Sequence, residues 1–356
     1  VTVTDDGGLS DDTDFVLTIN PVADTPVITG TTTLEDVQSD TGLVITRNTV
    51  DGVEVTHFKI TDITEGTLYQ NDGTTQIGDD NFITYTEGNA GLKFSPSDDF
   101  NGTGSFKLQA SLSSDDDGLG GDVVTASITV TAVNDVPSFT VGSDQTVLED
   151  AGSQTVTGWA TAISTGPTDE SSQTLTFNIS GVNTGLFSVQ PSVSSAGELS
   201  YTPADDAHGS DTVTVTLSDN GGTENGGVDT SDPQTFTITI DPVADTPVIT
   251  GTTTLEDVQS DTGLVITRNT VDGVEVTHFK ITDITEGTLY QNDGTTQIGD
   301  DNFITYTEGN AGLKFSPSDD FNGTGSFKLQ ASLSSDDDGL GGDVVTASIT
   351  VTAVND

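Results

Sequence analysis

Residues 21–135 recur letter for letter at 242–356, displaced by 221 positions, and a different, shorter segment, 136–241, stands between the two copies. Two copies without one substitution have not specialised, as duplicated active sites would. Repetition of this kind belongs to arrays, in which each unit contacts its neighbours and the product is length or a regular surface. The repeat also fixes the size of the folding unit, because whatever 21–135 forms must form again at 242–356 around its own core.

Charge restricts the partners. The chain holds 57 acidic residues against 8 Lys and Arg, a formal charge of −49. All eight basic residues lie in the two copies, at Arg47, Lys59, Lys93 and Lys107 and their counterparts. Such a surface repels nucleic acid and anionic membranes. It also repels itself, so compact folding calls for bound or screening cations. Disorder does not follow, since only 18% of residues are charged and apolar residues alternate in regular runs. Cysteine is absent, which excludes disulfides and thiolate metal sites. Methionine is absent too, so we read the chain as an excerpt and expect secretion and anchoring signals outside it. No apolar run has the length of a membrane-spanning helix.

Alternation with β-branched residues predicts strands at 15–19, 53–56, 127–131, 212–217 and 236–240. Turn signals fall between them at Asn71-Asp72-Gly73, Asn89-Ala90-Gly91, Asn101-Gly102, Asp117-Gly118 and Asn220-Gly221-Gly222. No helix is predicted. Short strands at regular spacing in units of about 100 residues predict an all-β fold, an array of tandem immunoglobulin-like sandwiches of about seven strands each. Val133-Asn134-Asp135-Val136-Pro137 and the related Val22–Pro26 and Val243–Pro247 mark the ends of units, because proline cannot continue ladder pairing. A Leu-Glu-Asp motif follows each, at 34–36, 148–150 and 255–257. Later comes Phe94-Ser95-Pro96-Ser97-Asp98-Asp99-Phe100-Asn101-Gly102, or Tyr201-Thr202-Pro203-Ala204-Asp205-Asp206-Ala207-His208-Gly209 in the shorter segment. The expected units are therefore 21–135, 136–241 and 242–356, with 1–20 as the final hairpin of a preceding one.

A sandwich would bring oxygen ligands together at the unit boundaries. A strand from Val27 to Glu35 spans about 30 Å, which carries Glu35 to the outgoing end. The Asp98-Asp99 loop falls at the same end, and Asn134-Asp135 is the outgoing linker. The next unit offers the loops Pro167-Thr168-Asp169-Glu170 and Ser218-Asp219-Asn220. Six to eight oxygens on two bodies suit a hard cation, and irregular geometry favours calcium over magnesium. The motifs extend the candidate set to Asp36, Glu149, Asp150, Asp205, Asp206, Asp241, Asp245, Glu256, Asp257 and Asp356. At the second boundary Ala23 and Ala244 replace the asparagine, which predicts fewer or looser ions, and Gly104 stands where the shorter unit has Asp211. Each such Asp is also a good turn former by itself.

The joint motif, the Leu-Glu-Asp motifs and the Tyr/Phe-x-Pro-x-Asp-Asp-x-x-Gly stretches resemble the cadherin-like tandem modules of giant bacterial secreted (RTX-type) adhesins over nearly the whole chain. His57-Phe58-Lys59-Ile60 and Gly66-Thr67-Leu68-Tyr69 are similar to repeats of chondroitin-sulfate-proteoglycan ectodomains. The resemblance implies a cadherin-like array, elongated and extracellular, with calcium held between modules by a first-strand Glu and by linker Asn and Asp. Glu35, Asn134 and Asp135 match that pattern. It further implies a spacer that projects an adhesive tip in cell adhesion or biofilm formation, with neighbouring modules as the main partners.

Two other readings use the same residues. In one the chain is a subunit of a filament, sheath or surface layer that contacts other copies laterally. In the other it is a carbohydrate-binding module for surface glycans, which needs clustered exposed aromatics, yet only 6% of residues are aromatic. Catalysis is not expected: no Gly-x-Ser-x-Gly elbow, cysteine nucleophile or metal-binding histidine pair is present. His57 and His208 are expected to be ordinary surface or half-buried residues, and Trp159 a core residue in a strand.

Overall fold

The computed structural model describes residues 2–12, 14 and 16–355. The strongest alternations become strands that bury every second residue. Along Leu119–Thr131 the buried positions are Ala126, Ile128 and Val130, and along Gln234–Asp241 they are Phe236, Ile238 and Ile240. Three hydrophobic cores result. The first spans Ala23 to Val130, the second Phe139 to Ile240, and the third, Ala244 to Val351, repeats the first. Phe58, Phe94 and Phe106 are fully buried in the first core, as are Phe279, Phe315 and Phe327 in the third. Each stabilises its core by about 1.5–3 kcal/mol relative to an exposed side chain.

In the first copy a five-stranded sheet runs Thr31–Leu34, Leu119–Thr131, Gly102–Ser111, His57–Thr64, Phe82–Thr84. A three-stranded sheet, Lys93–Pro96, Gly66–Tyr69, Gln76–Ile77, and the pair Val27–Ile28 with Ile45–Thr46 complete it. The second copy has the same sheets. The intervening segment has a four-stranded sheet, Gln145–Leu148, Gln234–Asp241, Gly209–Ser218, Thr176–Ser180, with a three-stranded and a two-stranded partner. The fold is all-β, in tandem immunoglobulin- and cadherin-like domains. The chain divides into two compact units: Val1–Val136 with Thr165–Gln173 and Asn220–Asp229, and Pro137–Ser164 with Thr174–Asp219 and Thr230–Asp356.

Several expectations are corrected. The predicted strand from Val27 to Glu35 is broken: Val27–Ile28 pairs antiparallel with Ile45–Thr46, whereas Thr31–Leu34 pairs parallel with the last strand of the copy. Val53–Thr56 is not a strand, because Val53 is exposed while Val55 alone enters the core. Val16–Ile19 forms no strand either, and Phe15 lies outside the described residues. The hairpin found at the start pairs Thr2–Thr4 with Ser10–Asp12. Helix is present after all, as Tyr85–Asn89 and Tyr306–Asn310. Its signal was the capping box Thr84-x-x-Glu87, in which each side chain satisfies the other residue's backbone N–H. Trp159 is in the core, its ring 4.5 Å from Phe236, but in a turn between strands rather than in one. Among the described residues no helix is long and apolar enough to cross a membrane.

Candidate cation sites at the unit boundaries

Strand register assembles the first site. Thr31–Leu34 runs parallel to Ile128–Thr131, with Leu34 beside Thr131, and the next N–H, that of Glu35, donates to Thr131 O at 3.0 Å. On the other side of the same strand Gly102 pairs with Val130. The register therefore sets Glu35 and the Asp98–Asn101 loop on either side of the outgoing residues 131–135. Glu35 is buried, and its Oε1 accepts the N–H of Val133. Asp36 sits in the left-handed region, φ 56°, and its Oδ1 accepts the N–H of Asp99 at 3.1 Å. The linker N–H of Asp135 donates to Glu170 Oε1 at 2.9 Å.

These bonds leave carboxylate oxygens facing one another. Asp36, Asp99 and Asp135 each present an oxygen within 4.8 Å of the others. Burial, then Asp99, Asp36 and Asp169 in turn, push the Asp135 carboxyl above its usual range. Glu35 is raised chiefly by burial, opposed by the Val133 N–H and the Asn101 amide, and Glu170 is raised by burial as well. Glu35 Oε2 and Glu170 Oε2 are buried without a hydrogen-bond partner. Unpaired buried carboxylate oxygens are costly and call for a counter-charge. Among the described residues the lysine ion pairs lie elsewhere, Lys59 with Asp80 and Asp116, and Lys107 with Asp62. A set made only of oxygen donors fits a hard divalent cation.

The second site repeats the scaffold with other residues. Leu148 pairs with Asp241, the N–H of Glu149 donates to Asp241 O, and Gly209 pairs with Ile240. Glu149 Oε1 accepts the N–H of Val243 at 2.7 Å, and Asp150 Oδ1 accepts that of Asp206 at 3.1 Å. Asp245 N–H donates to Asp272 Oδ1 at 3.0 Å, as Asp135 does to Glu170. Burial, then Asp272, Asp206 and Asp150, raise Asp245. The difference is His208, whose Nδ1 lies 3.3 Å from Glu149 Oε2 and whose Nε2 lies 3.7 Å from Glu275 Oε2.

The remaining candidates fall as follows. Asp98 is exposed and lines a cleft with Asp99, Pro167, Thr168 and Asp169. Asp169 Oδ2 accepts the Asn101 amide. Asn134 has other tasks: its Nδ2 donates to Val228 O at 2.8 Å and its Oδ1 accepts from Gln173. Asp205 and Asp241 are exposed, and half-buried Asp219 belongs to the compact unit that lacks Asp36, Asp99 and Asp135. In the second copy Glu256 accepts the N–H of Val354 and Asp257 that of Asp320. Asp356 lies outside the described residues.

Ala23 and Ala244, expected to mark a weakened site, are core residues, each 1% exposed. Gly104 lies under the Phe94 ring, where a Cβ would come within 2.7 Å of Cζ. Its counterpart Asp211 accepts the N–H of Asn183. Sequence reading named Glu170 only within the loop 167–170 and missed Asn101, Gln173, His208, Asp272 and Glu275. Their signal was weak: each is a polar residue in a loop, and only long-range pairing shows what it faces.

Comparison with known proteins agrees with this architecture. Residues 134–240 match the family model described as Bacterial Ig domain. The fold resembles mouse cadherin-23 EC22-24, with a TM-score of 0.51 and 13% identity over 93% of this chain and 100% of that one. It also resembles human CDH23 EC21-23, with a TM-score of 0.50 and 15% identity over 90% and 97%. At such identities the likeness is one of fold. No curated protein matches the chain.

Proposed function

We propose that this chain is a spacer region of an extracellular, adhesion-type bacterial surface protein, stiffened by calcium at its unit boundaries. The units at 21–135, 136–241 and 242–356 are its building blocks, and each boundary is where a cation acts. The observation that carries this reading is the meeting of Asp36, Asp99 and Asp135 within 4.8 Å. Glu35 and Glu170 add buried unpaired oxygens beside it. Calcium would be held by these carboxylates, Asp169 adding charge from the cleft. It would cancel repulsion that otherwise opposes docking of the 165–173 loop on the linker. The match to a bacterial Ig domain and the cadherin-like fold support the setting.

Thermal melting of the full chain in chelator, calcium and magnesium tests the proposal. Calcium should raise the melting temperature and slow proteolysis at 132–137, with magnesium much weaker at equal concentration. Equal melting in chelator and in millimolar calcium would overturn it.

A further inference from the structure

We infer that the side chain before the glycine of the Asp-Asp-x-x-Gly stretch is a strap that joins one unit to the next, Asn101 at the first boundary and His208 at the second. The exact repeat supplies the comparison. Asn101 and Asn322 occupy the same place in identical copies, each just ahead of a strand in the same register, Gly102 with Val130 and Gly323 with Val351. Yet their amides have different acceptors. Asn322 Nδ2 donates to Glu256 Oε2, the buried glutamate of its own copy, at 3.2 Å. Asn101 Nδ2 donates instead to Asp169 Oδ2, in the loop of the following segment, at 2.5 Å.

At the first boundary Asp169 lies within reach of the amide, whose two N–H donors can face two carboxylates. Glu35 Oε2 makes no hydrogen bond, but the Asn101 amide stays near enough to lower its carboxyl while it donates to Asp169. The strap does not rest on the cation reading.

The second boundary supports the assignment with different chemistry. His208 occupies the position of Asn101, before Gly209, and faces the same two classes of partner. Nδ1 approaches the glutamate of its own segment, Glu149, and Nε2 faces an acid of the following copy, Glu275. The ring lies between the two acids. The residue at this position matches the segment that follows: an amide where Asp169 arrives, an imidazole where Glu275 does.

Hydrogen exchange with mass spectrometry on the full chain, in chelator and in calcium, tests the strap. The readout is the loop 165–173, whose sequence occurs once. Asn101→Ala should speed exchange there by about ten- to a hundredfold in chelator, the order expected for a lost hydrogen bond to a charged group. Asn322→Ala removes the same side chain from an identical sequence and should leave that loop unchanged, which also controls for folding of the copy. Asn101→Asp keeps the shape but sets a carboxylate against Asp169; it should loosen the loop further in chelator, and calcium should reverse this. Unchanged exchange in Asn101→Ala, or an equal effect of Asn322→Ala, would overturn the strap. Because the primary reading is made in chelator, a wild-type chain indifferent to calcium would remove the cation proposal and leave this one standing.

Discussion

The two boundaries share a backbone frame and differ in what fills it. In both, a buried glutamate accepts the N–H of a linker valine, and an acid of the following segment accepts the N–H of the linker aspartate. At the first, Asp36, Asp99 and Asp135 converge within 4.8 Å, and the bridging side chain is a neutral amide. At the second, an imidazole stands between Glu149 and Glu275. The frame comes from strand register, which backbone hydrogen bonds enforce; the charge within it comes from side chains on loops, which can change without disturbing the register. One fold can therefore set different charges at equivalent boundaries.

Calcium removal should separate them most. A cation at a hundred times its dissociation constant stabilises its site by about 2.7 kcal/mol. In chelator, the segments 132–136 and 165–173 should lose more exchange protection than 243–247 and 271–276. Equal losses would show that the carboxylate trio is not what distinguishes the first boundary.

Exchange of the linker residues comes next. Ala244→Asn places an amide in a site 1% exposed and should destabilise the second copy by about 1–3 kcal/mol. Asn134→Ala removes bonds to Val228 O and Gln173 and should cost about 1 kcal/mol, confined to the first boundary. Chemical denaturation of each variant decides. A tolerated Ala244→Asn that also raised calcium affinity would restore the view that alanine marks a missing ligand.

The smallest effect is that of pH in chelator. Glu35, Asp135 and Glu170 at the first boundary, and Asp245 and Asp272 at the second, have carboxyls raised above their usual range, mainly by burial. An acid raised in the folded state binds protons more readily there than in the unfolded chain. Its contribution is fully present below the unfolded pKa and is lost as pH rises through the folded one. Without calcium, melting temperature should therefore rise modestly as pH falls from 7 into the carboxylate range, and saturating calcium should flatten or invert the slope. A fall in both media would show that repulsion at the boundaries is not limiting.

Much of the fold was legible because alternation has a direct physical cause. Ile128 and Val130 face inward because successive strand residues face opposite ways, and the same holds for Val213, Val215 and Leu217. The break at residues 29–30 was not legible, since Val27–Glu35 reads as one extended run and only the competition between two sheets divides it. Val53–Thr56 failed for the reverse reason: alternation was present, but just one of its valines finds a core. Of the candidate ligands, Asp36, Asp99 and Asp135 stood out by their place in motifs and lie within 4.8 Å of one another, and Glu35 holds the linker N–H of Val133, whereas Glu170 and Asp272 carried no motif.

What the sequence determined by itself is the repeat, the strands and a surplus of acid that demands counter-charge, because each follows from composition or from spacing along the chain. What only the tertiary structure decided is which acids share that demand. Leu34 beside Thr131 and Leu148 beside Asp241 are pairings across about a hundred residues. They fix whether an asparagine meets its own glutamate, as Asn322 does, or a neighbour's aspartate, as Asn101 does. Local sequence cannot decide this, because the acceptor is set by long-range pairing and not by neighbours along the chain.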